Sequence, residues 1–230
     1  MEDAGLSPLC AAVLCARGMD SPEDAARFLS SGSERFHNPF LLKDMDRAVT
    51  RIRSAIGGGE LICVYGDYDV DGITATCLLT EALAGQGGDV VSYIPDRTEE
   101  GYGLNPGAVT RLAGQGVKLI VTVDCGITAV HEVEFARSLG IDVVVTDHHH
   151  CKDELPAAVA VVDPRRPDCS YPFPELAGVG VALKTAQALA APEEREAVFQ
   201  RFGELAAIGT VADVMHLTDE NRALVRQGLE

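Results

Sequence analysis

The sequence is poor in cationic residues. Its 230 residues include 19 Lys and Arg against 35 Asp and Glu, which gives a formal net charge of −16. This deficit excludes a broad, non-specific nucleic-acid surface on these residues, because such surfaces neutralise phosphates with many cations. If the substrate is an anionic polymer, its basic groove is local or lies outside these residues.

Paired metal-binding cysteines and long apolar runs are also lacking. No CxxC motif occurs among the seven cysteines, at positions 10, 15, 63, 77, 125, 151 and 169. This spacing argues against a structural zinc site or a disulfide framework and is typical of reduced cytosolic thiols. Cys125 and Cys151 are near candidate site residues, but we do not expect either to bind metal.

No apolar run approaches membrane-span length, and no basic stretch followed by an apolar one begins the chain. We therefore expect a cytoplasmic protein with no membrane partner.

Three alternating aspartates are the most informative feature that is present. The apolar run 61–65 ends in Asp67, Asp69 and Asp71, and Gly72 follows. Along an extended tip, residues spaced by two point to the same side, so we expect some of these carboxylates to converge. Converging carboxylates repel one another unless a cation lies among them. The pattern therefore predicts a metal site.

A calcium loop is the first alternative, because these residues match the start of an EF-hand. That motif requires a bidentate Glu at loop position twelve, where this chain has Leu78. It also requires a preceding helix, whereas 61–65 is typical of a buried strand. The remaining alternative is a plain Asp-rich turn that caps the next helix.

Two further apolar runs end in potential metal ligands. Residues 118–123 are followed by Asp124, and residues 142–146 by Asp147-His148-His149-His150. Each run is short and rich in Val and Ile, which is typical of a buried parallel strand. Ligands bind at the carboxyl ends of such strands, so three segments would deliver their acids and histidines to one sheet edge. We expect Asp147 to orient a histidine or a loop, and His150 to play no direct part.

The order of elements predicts an α/β fold, with a parallel sheet of about five strands and helices on both faces. The sheet lies in a domain spanning 59–230, after a helical segment spanning 1–58 and before a helical C-terminal part. Predicted strands are 61–65, 89–94, 118–123, 142–146 and 158–162. Predicted helices are 22–30, 45–56, 72–84, 106–114, 128–139, 179–190, 193–202, 204–211 and 219–229.

Several motifs together resemble one family. Tyr65-Gly-Asp-Tyr-Asp-Val-Asp-Gly, Val123-Asp-Cys-Gly, Asp147-His-His and Ala207-Ile-Gly-Thr-Val-Ala-Asp213 are similar to successive motifs of the DHH phosphoesterases. Within that family, the stretches Pro95–Leu104 and Leu176–Lys184 resemble the bacterial exonucleases that degrade single-stranded DNA. The resemblance implies two divalent cations, Mn²⁺ first and Mg²⁺ second. Its implied ligands are Asp67, Asp69, Asp71, Asp124, His148 and Asp213. Asp124 would bridge the ions, and His149 would lie beside the scissile phosphate.

The resemblance also implies an activity. The expected reaction is two-metal hydrolysis of single-stranded DNA in the 5′→3′ direction, releasing 5′-mononucleotides during DNA repair and recombination. A single-strand-binding protein and a helicase are the partners it suggests. Family members carry further substrate-binding and oligonucleotide-binding domains, which we do not find in these residues. We therefore expect this chain to be weakly active or inactive alone.

Other residues have two open interpretations. Arg97 and Tyr102 either contact substrate, by phosphate pairing and base stacking, or only build a loop. Gly178 and Gly180 either let a helix N-terminus approach a phosphate or only permit close packing. For Asp163 we favour capping of the turn at Pro164 over a place in the site.

Two alternative functions remain open. The chain could act as a DHH phosphodiesterase on short oligonucleotides or cyclic dinucleotides, or hydrolyse pyrophosphate as other relatives with similar ligands do. It could instead be a non-catalytic scaffold derived from the exonucleases, although such proteins lose their metal ligands and this chain keeps them.

Overall fold

The N-terminal part is helical. A computed structural model describes residues 5–29 and 36–230, so the predicted helix end at Ser30 lies outside the described residues. Helix α1 spans Pro8–Ala16, α2 spans Pro22–Leu29, and α3 spans Met45–Gly58 after a 3₁₀ turn at Pro39–Leu41. Helix α2 begins where the sequence predicts, because the Ser21 hydroxyl accepts the amide of Asp24 at 3.0 Å.

A parallel sheet forms the centre of the molecule. Its strands are β1 (Leu61–Tyr65), β2 (Asp89–Tyr93), β3 (Val117–Val123), β4 (Asp142–Thr146) and β5 (Ala160–Val162). Their order across the sheet is β2-β1-β3-β4-β5, and every pairing is parallel. The connecting helices are α4 (Val70–Gly85), α5 (Pro106–Gly114) and α6 (Val130–Ser138). The predicted five-stranded parallel α/β fold is thus confirmed.

Alternate strand residues enter two different cores. On β3, Leu119 and Val121 face a core shared with α3, α4 and the C-terminal helices. Ile120 faces the opposite core, which the helices α5 and α6 complete. Both faces of the strands are therefore buried, which explains why these strands are continuous Val- and Ile-rich runs. Helix α3 contributes Met45 and Ile52 to the first core, so it packs directly on the sheet domain.

The C-terminal part contains α7 (Gly178–Leu189), a 3₁₀ turn at Pro192–Glu194, α8 (Arg195–Ala212) and α9 (Asp219–Gly228). The prediction of two separate helices over 193–202 and 204–211 is wrong, because α8 runs uninterrupted through Gly203. Gly228, on α9, permits close packing of α9 against α8 at this point. Helix α9 crosses α8 so closely that a Cβ on Gly228 would collide with the Gly203 carbonyl oxygen. Among the described residues, no helix is both long enough and apolar enough to cross a lipid bilayer.

Candidate metal centre

Three strands deliver acids and histidines to one edge of the sheet. Asp67 follows β1, Asp124 directly follows β3, and Asp147 to His149 directly follow β4. Asp67, Asp124, Asp147 and His148 are each at most 5% exposed. Ionisable side chains are rarely buried to this extent without partners, so the edge is a site and not ordinary surface.

The three aspartates after β1 do not form an extended tip. Asp69 is the N-cap of α4, and its Oδ1 accepts the amide of Gly72 at 2.9 Å. Asp71 already lies in the first turn of that helix. The expected alternation along an extended segment is therefore wrong, because helix α4 begins at Val70. Capping and convergence are not exclusive alternatives here, since Asp69 also lies with Asp67 in a group of potential metal ligands.

Potential ligand atoms form three connected groups, and within each group they lie within 4.8 Å of one another. The first group is Asp67, Asp69 and Asp124, the second is Asp124, His148 and His149, and the third is Asp71, His148 and Asp213. Asp124 and His148 each belong to two groups, so the three groups form one continuous centre. Asp71 faces the His148 side of this centre, away from the group of Asp67 and Asp69.

Several polar atoms in this centre are buried without a hydrogen-bond partner among the described residues. They are Asp67 Oδ1, Asp124 Oδ1 and both ring nitrogens of His148. His148 Nε2 lies 3.0 Å from Asp124 Oδ1, yet the two atoms are not aligned for a hydrogen bond. Unpaired buried polar atoms are costly and uncommon. Carboxylates with one imidazole are suitable ligands for Mn²⁺ or Mg²⁺, so the residues present fit a divalent cation.

The electrostatics of the centre also favour a cation. Burial and the neighbouring charge of Asp124 raise the pKa of Asp71 to about 7. Burial and the charge of Asp69 raise the pKa of Asp124 to about 9. Burial likewise raises the pKa of Asp213. These carboxylates therefore resist ionisation together unless positive charge is supplied among them.

Asp147 accepts hydrogen bonds from its own loop and from the loop after β3. Its Oδ1 accepts the amide of His148 at 2.7 Å and Nδ1–H of His149 at 2.8 Å, and its Oδ2 accepts the amide of Ile127 at 2.8 Å. Although burial opposes ionisation, these hydrogen bonds hold the pKa of Asp147 below its usual value. The hydrogen bond that His149 donates to Asp147 raises the pKa of His149 to about 9. His149 is therefore cationic near neutral pH.

Asp213 reaches the centre from the end of α8, where its Oδ2 lies 3.7 Å from His148 Nε2. Gly209, one turn earlier, makes this approach possible. A Cβ at that position would collide with the Thr74 hydroxyl and lie 3.0 Å from Asp71 Oδ1. Gly209 belongs to the stretch Ala207–Asp213, which resembles a DHH-family motif. Its packing role could not be predicted from that motif, because it depends on where α8 crosses α4.

The start of α7 holds Asp71 in place. The amides of Gly178 and Val179 donate to the two carboxylate oxygens of Asp71 at 2.7 and 2.8 Å. A Cβ on Gly178 would lie 2.5 Å from Cβ of Asp124, whereas the nearest atom at Gly180 is a Leu176 methyl at 3.3 Å. This helix N-terminus binds the protein's own carboxylate, which favours the packing interpretation of the two glycines over phosphate binding. Sequence reasoning missed the Asp71 contact because no local pattern signals it.

Arg97 and Tyr102 lie at the rim of the centre, on the loop after β2. The Arg97 guanidinium carbon is 5.2 Å from the ring centroid of Tyr68. Burial raises the pKa of Asp67, and the charge of Arg97 partly offsets this. The Tyr102 hydroxyl contacts the Asp124 carbonyl oxygen and the His149 ring.

Two further residues lie outside the ligand groups. Asp163 is fully buried and its Oδ1 accepts the amide of Arg165 at 2.7 Å, which is the turn-capping contact that the sequence favours. His150 contacts the Arg165 guanidinium at 3.1 Å and belongs to none of the three ligand groups.

The comparisons with known proteins define the class first. Residues 61–210 match the family model described as the DHH family, N-terminal domain. The match covers more than half of the chain, and the chain therefore belongs to the DHH family.

It is also similar to individual exonucleases of that family. "Single-stranded-DNA-specific exonuclease RecJ" of Bacillus subtilis (strain 168) is 47% identical over 229 residues, which are 100% of this chain and 28% of that protein. The Escherichia coli (strain K12) protein of the same name is 40% identical, over 98% of this chain and 40% of that protein.

Solved structures agree with this assignment. A crystal structure of exonuclease RecJ bound to manganese is 39% identical with a TM-score of 0.72, covering 82% of this chain and 48% of that chain. RecJ in complex with Mn²⁺ from Thermus thermophilus is 33% identical with a TM-score of 0.76, covering 98% of this chain and 31% of that chain. The chain thus spans less than half the length of each of these relatives.

Proposed function

We propose that this chain is the metal-binding part of a 5′→3′ exonuclease that hydrolyses phosphodiester bonds of single-stranded DNA and releases 5′-mononucleotides. The relatives at 40–47% identity carry this specificity for single-stranded DNA in their names. The observation that carries the proposal is the continuous centre in which Asp124 and His148 each belong to two ligand groups. Because neighbouring ligand groups share these two residues, the centre is suited to two neighbouring divalent ions.

The residues divide between two ion positions. Asp67, Asp69 and Asp124 would hold one ion, and Asp71, His148 and Asp213 would hold the other, with Asp124 shared. Manganese is our first assignment and magnesium the second, since both are bound in structures of the relatives. When bound, two such ions activate a water and neutralise the phosphate oxygens during in-line attack.

His149 supplies charge from the protein itself. Its Nδ1–H is fixed on Asp147, and the raised pKa of about 9 keeps the ring cationic at neutral pH. Its side chain is 46% exposed, so a phosphate at the rim can reach it. A fixed cation beside the scissile phosphate stabilises the negative charge that grows during hydrolysis.

Arg97 would contact the DNA strand from the β2 side of the rim. Its guanidinium already stacks over Tyr68, and a phosphate there would gain a charge-assisted hydrogen bond. The overall charge of −16 makes such local cations important, because the rest of the chain repels DNA.

The experiment compares substrates in the presence of Mn²⁺. We would incubate the chain with a short 5′-phosphorylated single strand, the same strand in a duplex, a cyclic dinucleotide and pyrophosphate. We expect slow release of 5′-mononucleotides from the single strand, reduced by about 100-fold or more in Asp124→Asn. Asp89→Asn is the matched control, because exposed Asp89 begins β2 at the opposite end of the strands and should leave the rate unchanged.

Each alternative has its own outcome. Preferential hydrolysis of the cyclic dinucleotide would favour the phosphodiesterase alternative, and preferential hydrolysis of pyrophosphate would favour a pyrophosphate-hydrolysing enzyme. Tight Mn²⁺ binding without hydrolysis of any substrate, both by this chain and by a longer chain that includes the further domains, would favour the non-catalytic scaffold. Each of these results would contradict the exonuclease proposal.

We also propose that efficient degradation of long strands needs more than this chain. The domain of residues 59–230 provides the metal ligands, and the segment of residues 1–58 contributes α3 to its core. We propose that the substrate clamp belongs to further domains. Rapid, processive degradation of long single strands by these residues alone would contradict this view. A single-strand-binding protein and a helicase stay predicted partners, which a binding assay with each purified protein would test.

A further inference from the structure

The loop between β2 and α5, residues 94–105, reaches across to the metal centre through one hydroxyl group. The Tyr102 hydroxyl donates to the backbone carbonyl oxygen of Asp124 at 3.0 Å. The hydroxyl oxygen also lies 3.3 Å from Nδ1 of His149, and the two rings meet edge to face with centroids 5.8 Å apart. One side chain thus contacts the backbone of a proposed ligand and the ring of the proposed charge-stabilising histidine.

The Asp124 backbone is in a conformation that needs support. Its φ is 57°, in the left-handed region that few residues other than glycine adopt, although Asn and Asp adopt it more often than the rest. This turn directs the carboxylate at the end of β3 toward both Asp69 and His148. Because such strained conformations persist only where the surroundings hold them, a hydrogen bond to this carbonyl bears directly on the ligand's position.

The loop is anchored independently of the metal centre. Glu100 accepts hydrogen bonds from the Tyr93 hydroxyl at 2.6 Å and from Arg111 at 3.0 Å. On the other side of Tyr102, the Tyr65 hydroxyl donates to the carbonyl oxygen of Gly103 at 3.0 Å. Tyr102 therefore projects from a loop whose backbone is fixed on both sides of it.

We propose that Tyr102 is a positioning residue, whose hydroxyl fixes the Asp124 backbone and the His149 ring and so sets the geometry of the metal centre. This inference rests on the proposed function, because it assigns Asp124 and His149 their roles there. It differs from base stacking, which uses the face of the ring and does not need the hydroxyl. Because Tyr102→Phe removes the hydroxyl and keeps the ring, this single substitution distinguishes positioning from stacking.

The first test is Mn²⁺ calorimetry on the 230-residue chain, comparing wild type, Tyr102→Phe and Tyr93→Phe. Without this hydrogen bond the metal-free chain no longer holds the Asp124 turn in the binding position, and restoring that position on Mn²⁺ binding costs about one hydrogen bond, so we expect Tyr102→Phe to bind Mn²⁺ about fivefold more weakly. Tyr93→Phe also removes a hydroxyl that contacts the loop, but one that does not touch the centre, and should keep the wild-type affinity. Equal affinity in all three proteins, or an equal loss in both variants, would overturn the proposal.

The second test separates positioning from stacking on the 5′-phosphorylated single strand. Positioning predicts that Tyr102→Phe lowers kcat with little change in KM, because the ring that could stack is still present. A wild-type kcat in Tyr102→Phe, together with a raised KM in Tyr102→Ala, would assign the residue to stacking and overturn the proposal. If the wild-type chain hydrolyses nothing even when the further domains are present, the proposed function fails, whereas the calorimetric comparison still decides the role of Tyr102.

Discussion

The Nε2 atom of His148 and the Oδ1 atom of Asp124 lie 3.0 Å apart without hydrogen-bonding each other. His148 follows β4 and Asp124 follows the neighbouring β3, so the parallel sheet itself brings them together. Both atoms are buried without a hydrogen-bond partner, and both belong to groups of potential metal ligands. We infer that they are directed at a common position. We interpret that position as the place of a cation, around which the other carboxylates are arranged.

The stability of the metal-free chain should fall as pH rises. Asp71 and Asp124 have pKa values raised to about 7 and about 9 from 3.8, so the folded state holds protons that the unfolded state has lost. His149, with its pKa raised to about 9 from 6.5, also stabilises the fold at low pH and loses this contribution as pH rises through 9. We therefore expect the free energy of unfolding to decrease between about pH 5 and pH 9.

Chemical denaturation at several pH values, with the metal removed by a chelator, measures this trend. Added Mn²⁺ should reverse it, because a cation favours the ionised carboxylates and its binding is strongest when they are deprotonated. A metal-free chain whose stability rises steadily from about pH 5 to about pH 9 would contradict the assigned electrostatics.

Replacement of Asp147 by Asn should uncouple His149 from its orienting carboxylate. The hydrogen bond at 2.8 Å is the main cause of the raised His149 pKa, so this pKa should fall toward the ordinary value of 6.5. Loss of charge-assisted hydrogen bonds to buried amides should also cost about 2 kcal/mol of stability. Titration of the His149 ring by NMR measures the first effect. Retention of a pKa of about 9 in Asp147→Asn would show that another group holds the proton.

Gly178 and Gly180 provide a matched pair of alanine substitutions on one helix. A Cβ on Gly178 would meet Cβ of Asp124 at 2.5 Å, so Gly178→Ala must displace either a ligand or α7. At Gly180 the nearest atom is a Leu176 methyl at 3.3 Å, so a Cβ there needs a shift of only a few tenths of an ångström. We expect Gly178→Ala to cost about 2–3 kcal/mol and to weaken Mn²⁺ binding, and Gly180→Ala to change little.

Thermal unfolding with and without Mn²⁺ checks this pair. If the glycines instead served phosphate binding, both variants would fold and bind Mn²⁺ normally and would lose affinity only for DNA. That pattern would contradict the packing interpretation.

The fold could be predicted because its signals are local. The short Val-rich runs ending at Tyr65, Val123 and Thr146 identified three strands, and their parallel pairing brought the acids after them to one edge. Failures arose where tertiary contacts outweigh local pattern. Gly203 looks like a helix break in the sequence, yet α8 continues through it, and α9 packs closely against its carbonyl oxygen.

The site could be predicted only in part, for the same reason. The local spacing of Asp67, Asp69 and Asp71 suggests one extended cluster, but α4 begins at Val70 and turns Asp71 toward His148. Asp213 carries no local signal, and only the resemblance to the DHH family indicated it. The hydroxyl contact of Tyr102 depends on the path of a loop, which residue spacing does not encode.

Calorimetric titration of Mn²⁺ into the metal-free chain, with Asp124→Asn and Asp89→Asn in parallel, tests the central claim most directly. The account predicts two saturable Mn²⁺ sites in the wild type and in Asp89→Asn, and loss or severe weakening of both in Asp124→Asn, because Asp124 is shared between the ions. Weak, unsaturable binding that is the same in all three proteins would contradict it.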